Sequence, residues 1–170
     1  MIKNTEKSDK TTGQMITVSV IGGHDADSKV EQKAHEIGKI VAKVGAILVC
    51  GGLFGVMEAA CRGAKEAGGL TIGILPGKDK NDANSFVDIA LPTSIGYARN
   101  AIVACSADII IALPGSHGTR SEISYGMVYK RPILDCGGWD IEGMIKAGTL
   151  PQIESTLKEL IGDIKAQRNI

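Results

Sequence analysis

The sequence has 170 residues, of which 44% are apolar and 22% are charged, and its formal net charge is zero. A chain of this length and composition can bury a substantial core, which excludes a disordered protein and a small disulfide scaffold. The balanced charge and an aromatic content of only 4% argue against a nucleic-acid-binding surface. Glycine is frequent, with 22 residues, and predicts many tight turns and close backbone approaches.

Neither a membrane segment nor a metal site is expected. No apolar run reaches the roughly 18 residues that span a bilayer, and the polar residues 1–14 predict a flexible tail rather than a signal peptide. Residues 15–170 are predicted to form a single domain of a cytoplasmic protein. The cysteines and histidines lack metal-binding spacing, and the cysteines are interpreted as free thiols, most of them buried; the residues concerned are Cys50, Cys61, Cys105, Cys136, His24, His35 and His117.

Short apolar runs, most of them closed by glycine or proline, alternate with helical segments from residue 16 onward. In chain order, the predicted elements are strand 16–21, helix 27–45, strand 46–50, helix 55–67, strand 71–75, a polar loop 78–85, strand 86–91, helix 97–106, strand 108–113, helix 119–129, strand 132–134 and a last helix from residue 151.

This alternation predicts the fold class. Strands separated by helices pair in parallel through right-handed crossovers, and strands that are apolar throughout are covered on both faces. The sequence therefore predicts an α/β protein with a single doubly wound, mainly parallel sheet and helices on both faces, similar to a Rossmann fold. Ligands of such sheets bind beyond the carboxyl ends of the strands.

Three glycine-rich segments follow predicted strands. They are Gly22-Gly23, the segment Gly51-Gly52 with Gly55, and Pro114-Gly115-Ser116-His117-Gly118-Thr119. None matches GxxxxGK[ST] or GxGxxG, which weakens an assignment to hydride transfer with a dinucleotide. A strand, a glycine turn and a helix start nevertheless direct free N–H groups at one point, as phosphate binding requires. The glycines therefore either hold a phosphate or simply form tight turns.

Two charged residues are candidates for function. The segment from Thr119 to Glu122 fits a capping box, so Glu122 either caps a helix or places a carboxylate beside the glycine loop. Arg99 lies at the start of a predicted helix, where the helix dipole favours acidic residues instead. Arg99 is therefore either a functional group or a solvated surface arginine.

The three motifs Gly51-Gly52-x-x-Gly55-Val56-Met57, Gly96-x-x-Arg99-Asn100 and Pro114-Gly115-x-x-Gly118-Thr119-x-x-Glu122 resemble the LOG (LONELY GUY) or lysine-decarboxylase-like family. The resemblance covers nearly all of residues 15–135. Residues 55–60, residues 63–69 and the Arg99-Asn100 pair are most similar to its molybdenum cofactor carrier branch, which is related to DprA-type Rossmann domains. Nothing in the motifs binds pyridoxal phosphate, so decarboxylation is not implied.

LOG enzymes are phosphoribohydrolases, which split a nucleoside 5′-monophosphate into free base and ribose 5-phosphate. The resemblance implies that Gly115 to Thr119 hold the phosphate and that Arg99 and Glu122 match the family's arginine and glutamate. The sequence also departs from the enzymes, because Ser116 replaces a glycine, Ser121 a glutamate, Asn100 a lysine and Glu58 a glycine. These departures favour the carrier branch.

Two functional hypotheses therefore stand. The first is a protein that binds a phosphorylated small molecule, a nucleotide or a molybdopterin-type cofactor, without a required cofactor of its own. The alternative is a phosphoribohydrolase with Arg99 and Glu122 as catalytic residues. The resemblance also implies a homo-oligomer, a dimer or a tetramer, and no nucleic-acid or membrane partner is expected. The expected binding residues are Gly22, Gly23, Gly51, Gly52, Gly55, Arg99, Asn100, Gly115, Ser116, His117, Gly118, Thr119 and Glu122.

Overall fold

Seven parallel strands form the central sheet of the structure, a computed structural model that describes residues 14–169. The order of the strands is β4-β3-β2-β1-β5-β6-β7, so the chain winds outward in both directions from β1. This arrangement confirms the predicted doubly wound parallel sheet. The strands are β1 (Thr17–Ile21), β2 (Ile47–Cys50), β3 (Thr71–Leu75), β4 (Ile89–Pro92), β5 (Ile109–Ala112), β6 (Ile133–Asp135) and β7 (Ile145–Lys146).

Helices cover both faces of the sheet, as predicted. They are α1 (Ser28–Lys43), α2 (Val56–Glu66), α3 (Asn100–Cys105), α4 (His117–Val128) and α5 (Leu150–Arg168). Helices α1, α2 and α5 share one apolar core with Ile109 and Ile111 of β5, whereas α3 and α4 pack around Ile110 and Ala112 on the other face. Successive side chains of a strand point to opposite faces, which is why β5 is apolar at every position.

Close packing between α1 and α2 accounts for two of the many glycines. A Cβ on Gly38 would lie 2.0 Å from the carbonyl oxygen of Ala60, and one on Gly63 would lie 1.9 Å from that of His35. The backbones of the two helices therefore touch, which only glycine allows. This contact fixes the position of α2, whose first residues follow the β2 loop.

Several predicted boundaries are wrong. Strand β4 begins at Ile89 rather than at residue 86, and it includes Pro92, which an edge strand tolerates because one side of it needs no ladder hydrogen bonds. Strand β7, with two residues at the other edge, was not predicted. The predicted helix 97–106 is a 3-10 turn at Gly96–Arg99 followed by α3, and the polar loop contains a 3-10 turn at Lys80–Asp82.

The remaining expectations concern the termini, the cysteines and membrane segments. The predicted tail falls, except for its last residue, outside the described residues. All four cysteines are free; Cys50, Cys61 and Cys136 are buried, whereas Cys105 is exposed. Between residues 14 and 169, no helix combines the length and apolar character that crossing a membrane requires.

Candidate functional site

The three glycine-rich loops contact one another at the carboxyl edge of the sheet, around the strands β1, β2 and β5. The backbone N–H of Gly23 donates to the carbonyl oxygen of Pro114 at 2.9 Å, and that of Val56 donates to the carbonyl oxygen of Gly23 at 3.1 Å. Gly55 has a φ of +63°, and a Cβ on it would lie 2.1 Å from the carbonyl oxygen of His24. Strand order reverses at β1, so the loops meet at the point of the sheet where such folds bind ligands.

A cavity of about 410 Å³ opens where these loops meet, and we call it the Arg99 cavity. Eight of the residues expected from the sequence line it: Gly22, Gly23, Arg99, Asn100, Ser116, Gly118, Thr119 and Glu122. Its wall also contains residues that were not expected, namely His24, Asp25, Leu53, Met57 and Tyr97. Most of these residues could have been predicted as part of the site from the sequence, because they lie next to or within the glycine-rich motifs.

The other expected residues lie behind or beside this cavity. The Gly51 carbonyl oxygen accepts a hydrogen bond from Arg99 Nη2 at 3.3 Å, and a Cβ on Gly51 would lie 2.5 Å from that nitrogen. Gly52 and Gly55 have positive φ angles and shape the β2 loop. Gly115 lines a neighbouring cavity, and His117 is an exposed first residue of α4 that lines neither cavity.

Arg99 is a buried residue of the cavity wall and not a solvated surface arginine, because only 5% of it is exposed. Its Nη1 donates to Asn100 Oδ1, while its buried Nε has no hydrogen-bond partner in the part of the chain that the structure describes. Burial lowers the pKa of Arg99, and the nearby Glu122 opposes this effect. An arginine has no accessible neutral form near neutral pH, so the site holds a buried, incompletely satisfied cation.

Glu122 faces this arginine. Its Oε1 lies 3.6 Å from Arg99 Nη1, and only 6% of the residue is exposed. Burial raises the pKa of Glu122 to about 7, although the charge of Arg99 works in the opposite direction. The carboxyl group therefore changes its charge near neutral pH, as a group that exchanges protons with a ligand does.

The predicted capping box at Thr119 is wrong. Helix α4 begins at His117, and its N-cap is Ser116, whose side chain forms no capping hydrogen bond. Thr119 lies inside the first turn and is buried, and a Cβ on Gly115 would lie 2.2 Å from its Oγ1. Glu122 is thus not engaged at a helix end, which leaves its carboxyl group for the cavity.

Asn100 and Ser121 stabilise the first turn of α4. Asn100 Nδ2 donates to the Ser121 Oγ at 2.9 Å and to the Gly118 carbonyl oxygen at 3.3 Å. Ser121 Oγ in turn donates to the Gly118 carbonyl oxygen at 2.7 Å. Two of the positions at which the sequence departs from LOG enzymes therefore form one hydrogen-bonded unit.

The N-terminus of α4 can receive an anion. The first N–H groups of a helix have no acceptor inside the helix and carry a partial positive charge. No side chain caps α4, whereas the Asp27 carboxylate caps α1 by accepting hydrogen bonds from the N–H groups of Lys29 and Val30. The uncapped amides of α4 and the guanidinium of Arg99 belong to the same cavity, which suits a phosphate group.

The side chains that could bind a metal ion are not clustered in the part of the chain that the structure describes. Among residues 14–169, no group of three or more His, Cys, Asp or Glu side chains is placed to hold a metal ion.

The fold and site define a Rossmann-like α/β protein with a charged cleft at the switch point of its sheet. The chain belongs to the SLOG cluster4 family, whose model matches residues 15–161. This match, together with the relatives below, confirms the family resemblance inferred from the motifs.

Three known proteins are similar to this chain. The structure of the molybdenum cofactor binding protein from Rippkaea orientalis is 32% identical, covers 87% of this chain and 98% of its own, and superposes with a TM-score of 0.80. The molybdenum cofactor carrier protein from Chlamydomonas reinhardtii is 31% identical, with coverages of 88% and 99% and a TM-score of 0.78. A cytokinin riboside 5′-monophosphate phosphoribohydrolase from Mycobacterium tuberculosis is 26% identical over 75% of this chain and 73% of its own.

Proposed function

We propose that this protein binds a phosphorylated small molecule, a nucleotide or a phosphorylated pterin such as a molybdenum cofactor, in the Arg99 cavity. The observation that carries the proposal is a buried arginine beside the uncapped N-terminus of α4. A buried cation is costly unless an anion compensates it, and Glu122 does so incompletely because its pKa of about 7 leaves it partly protonated at neutral pH.

The ligand's phosphate completes this electrostatic arrangement. Amide groups of α4 would bind its oxygens, and Arg99 would neutralise part of its charge. Glu122 would take up a proton when a dianion enters the cavity, which removes the repulsion between two negative groups. The molybdenum cofactor proteins from R. orientalis and C. reinhardtii support the ligand class, since each is over 30% identical to this chain along nearly its whole length.

Isothermal titration calorimetry with nucleoside monophosphates and a pterin phosphate tests the proposal. Arg99→Met should weaken binding by roughly 10- to 100-fold, which corresponds to one charged hydrogen-bonding group. Arg62→Met, which alters an exposed arginine on α2, is the matched control and should bind like the wild type. Circular dichroism checks the fold of each variant, and Arg99→Lys retains the charge if Arg99→Met is unstable. Equal affinities of the wild type and both Arg99 variants would refute the proposal.

A second function is favoured by one specific observation, the carboxyl group of Glu122 in the cavity wall with a pKa of about 7. In hydrolysis of an N-glycosidic bond, the bond from C1′ to the base breaks and water supplies the new hydroxyl at C1′. The base would leave with the bonding electron pair and take up a proton from solvent, while Glu122 would orient the water and accept the proton that it releases, and the charge of Glu122 would stabilise the oxocarbenium-like transition state. The M. tuberculosis phosphoribohydrolase supports this alternative.

Chromatography after incubation with each nucleoside monophosphate separates the two functions. Release of free base that Glu122→Gln abolishes would favour the hydrolase and contradict a pure carrier. Tight binding of a pterin phosphate without turnover of any nucleotide would exclude the hydrolase.

A homo-oligomer, either a dimer or a tetramer, is also part of the proposal. Helices α3 and α4 carry exposed large apolar side chains: Val128 is 72% exposed, and Ile102 and Tyr125 are each more than a third exposed. Exposed apolar surface of this kind is typical of protein interfaces. Light scattering coupled to size-exclusion chromatography should give a mass of two or four chains, and a monomer at micromolar concentration would contradict the proposal.

A further inference from the structure

A second cavity of about 390 Å³ lies next to the Arg99 cavity, and we call it the Asp27 cavity. The two cavities share Gly23, His24, Asp25 and Ser116 in their walls. Ser116 is the residue from which α4 starts, so the helix N-terminus lies at the boundary between the cavities. A phosphate bound there would have one cavity on each side.

The Asp27 cavity differs from its neighbour in charge. Asp25 and Asp27 line it, and among the described residues that form its wall there is no lysine or arginine. The N-terminus of α1, next to this cavity, is capped by its own residue, because Asp27 Oδ1 accepts hydrogen bonds from the N–H groups of Lys29 and Val30 at 2.9 Å each. A second phosphate would therefore meet carboxylates and no compensating charge.

Asp27 contributes a free acceptor to this cavity, its second carboxylate oxygen. Because both capping bonds use Oδ1, the lone pairs of Oδ2 remain available to a hydrogen-bond donor. Ala26, Val30 and Pro114 add apolar surface beside it. A carboxylate next to apolar surface suits a neutral group that carries hydroxyls. In doubly wound nucleotide-binding folds, a carboxylate accepts hydrogen bonds from the hydroxyls of a ribose in this way.

We propose that the Asp27 cavity is a second subsite for a neutral, hydroxyl-bearing group such as a nucleoside, joined to the rest of the ligand through the phosphate at α4. This proposal rests on the proposed function, and it adds two-part phosphodiesters to the phosphate monoesters that the Arg99 cavity would bind alone. The Arg99 cavity holds one part, and the Asp27 cavity holds the other.

Three probes with the same nucleoside test this geometry by calorimetry. They are AMP, ADP, which adds a charge, and the dinucleoside monophosphate ApA, which adds a neutral nucleoside to the phosphate; they are compared at about pH 5, where the phosphate of AMP carries about one charge as the diester does, and the series is repeated with the other common bases. ApA should bind about tenfold more tightly than AMP, the gain expected from one hydrogen bond to a charged acceptor. ADP should gain nothing over AMP.

Asp27→Asn is a sharp variant for this test. Asparagine caps helices as well as aspartate does, so its Oδ1 keeps α1 intact while an amide donor replaces Oδ2. The advantage of ApA over AMP should disappear, and ADP should bind more tightly than it does to the wild type. Asp163→Asn is the matched control, since it changes the same charge on an exposed position of α5 and should leave all three affinities unchanged.

The outcomes separate this proposal from the proposed function. Binding of AMP that depends on Arg99, together with weaker or equal binding of ApA, would overturn the second subsite while the proposed function stands. An advantage of ApA that Asp27→Asn leaves intact would overturn the role of the Asp27 cavity. Absence of binding by every probe, pterin phosphate included, would overturn both.

Discussion

Replacement of Glu122 by glutamine should make the protein more stable at alkaline pH. Glutamine has the shape of the protonated glutamic acid but cannot ionise. In the wild type, Glu122 is buried opposite Arg99, and burial raises its pKa to about 7 from an ordinary 4.5. Ionisation of this buried group above neutral pH therefore lowers the free energy of unfolding of the wild type, whereas the variant has no group there to ionise.

The sign and size of this stability difference follow from the linkage between proton binding and folding. A carboxyl group with a raised pKa in the folded state binds its proton more strongly there than in the unfolded chain, so the free energy of unfolding falls as pH rises from about 4.5 through 7. The full effect is about 3 kcal/mol, since a difference of one pH unit corresponds to about 1.4 kcal/mol. The stabilisation of Glu122→Gln over the wild type should thus grow from about 1 kcal/mol at pH 5 to about 3 kcal/mol at pH 8.

Urea denaturation of both proteins across this pH range measures the effect. The difference between the two curves removes the contribution of the other titrating groups, which the two proteins share. Glu142→Gln, at an exposed position, is the matched control and should follow the wild type at every pH. A variant that is no more stable than the wild type at pH 8, or a difference that does not change with pH, would refute the reasoning.

Gly38→Ala should destabilise the protein by about 2–3 kcal/mol, because its Cβ would lie 2.0 Å from a backbone oxygen of α2. Gly162→Ala is the control: no atom lies within 4 Å of its Cβ, so it should stabilise α5 by about 0.5–1 kcal/mol. Urea denaturation measures the free energy of unfolding of both variants. Equal effects would contradict the backbone contact between α1 and α2. Gly118→Ala should leave thermal unfolding intact, since the nearest atom to its Cβ is 3.7 Å away, but weaken phosphate ligands about tenfold in calorimetry by narrowing the Arg99 cavity. Unchanged affinity would contradict a phosphate next to this turn. A thiol reagent should modify one cysteine, Cys105, in the native protein and all four cysteines in denaturant. Fast reaction of more than one cysteine in the native protein would contradict the burial of Cys50, Cys61 and Cys136.

Much of this architecture could be predicted from the sequence because its periodicity is strong. Strand β5 is apolar at every position, and only a strand covered on both faces is expected to be so. The glycine pairs after β1 and β2 marked where those strands end. Once the strands were taken as parallel, their carboxyl ends had to lie at one edge, and the site followed from this geometry.

The start of α4 could not be predicted in the same way. The segment Thr119 to Glu122 satisfies the capping-box pattern, yet the helix begins at His117 because close contact of Gly115 with the Gly23 backbone and with Thr119 fixes the turn earlier. A pattern of four neighbouring residues contains no information about such contacts with distant parts of the chain. The burial of Arg99 was hidden for the same reason, since it depends on the β2 loop folding over the guanidinium.

Short edge strands gave the weakest signal. β7 has only two residues, Ile145 and Lys146, and its pairing with β6 decides its conformation rather than any apolar run. Gly23, Gly115 and Ser116 of the Asp27 cavity were among the expected binding residues, whereas Asp27 was missed because the cavity combines two loops that are far apart in sequence, one with Asp27 and one with Pro114.

A crystal structure of the protein with a bound nucleoside monophosphate or pterin phosphate tests the central claim most directly. The account predicts phosphate oxygens at about 2.7–3.2 Å from backbone nitrogens of the first turn of α4, with Arg99 facing the same group. A ligand whose phosphate lies away from both α4 and Arg99 would contradict it.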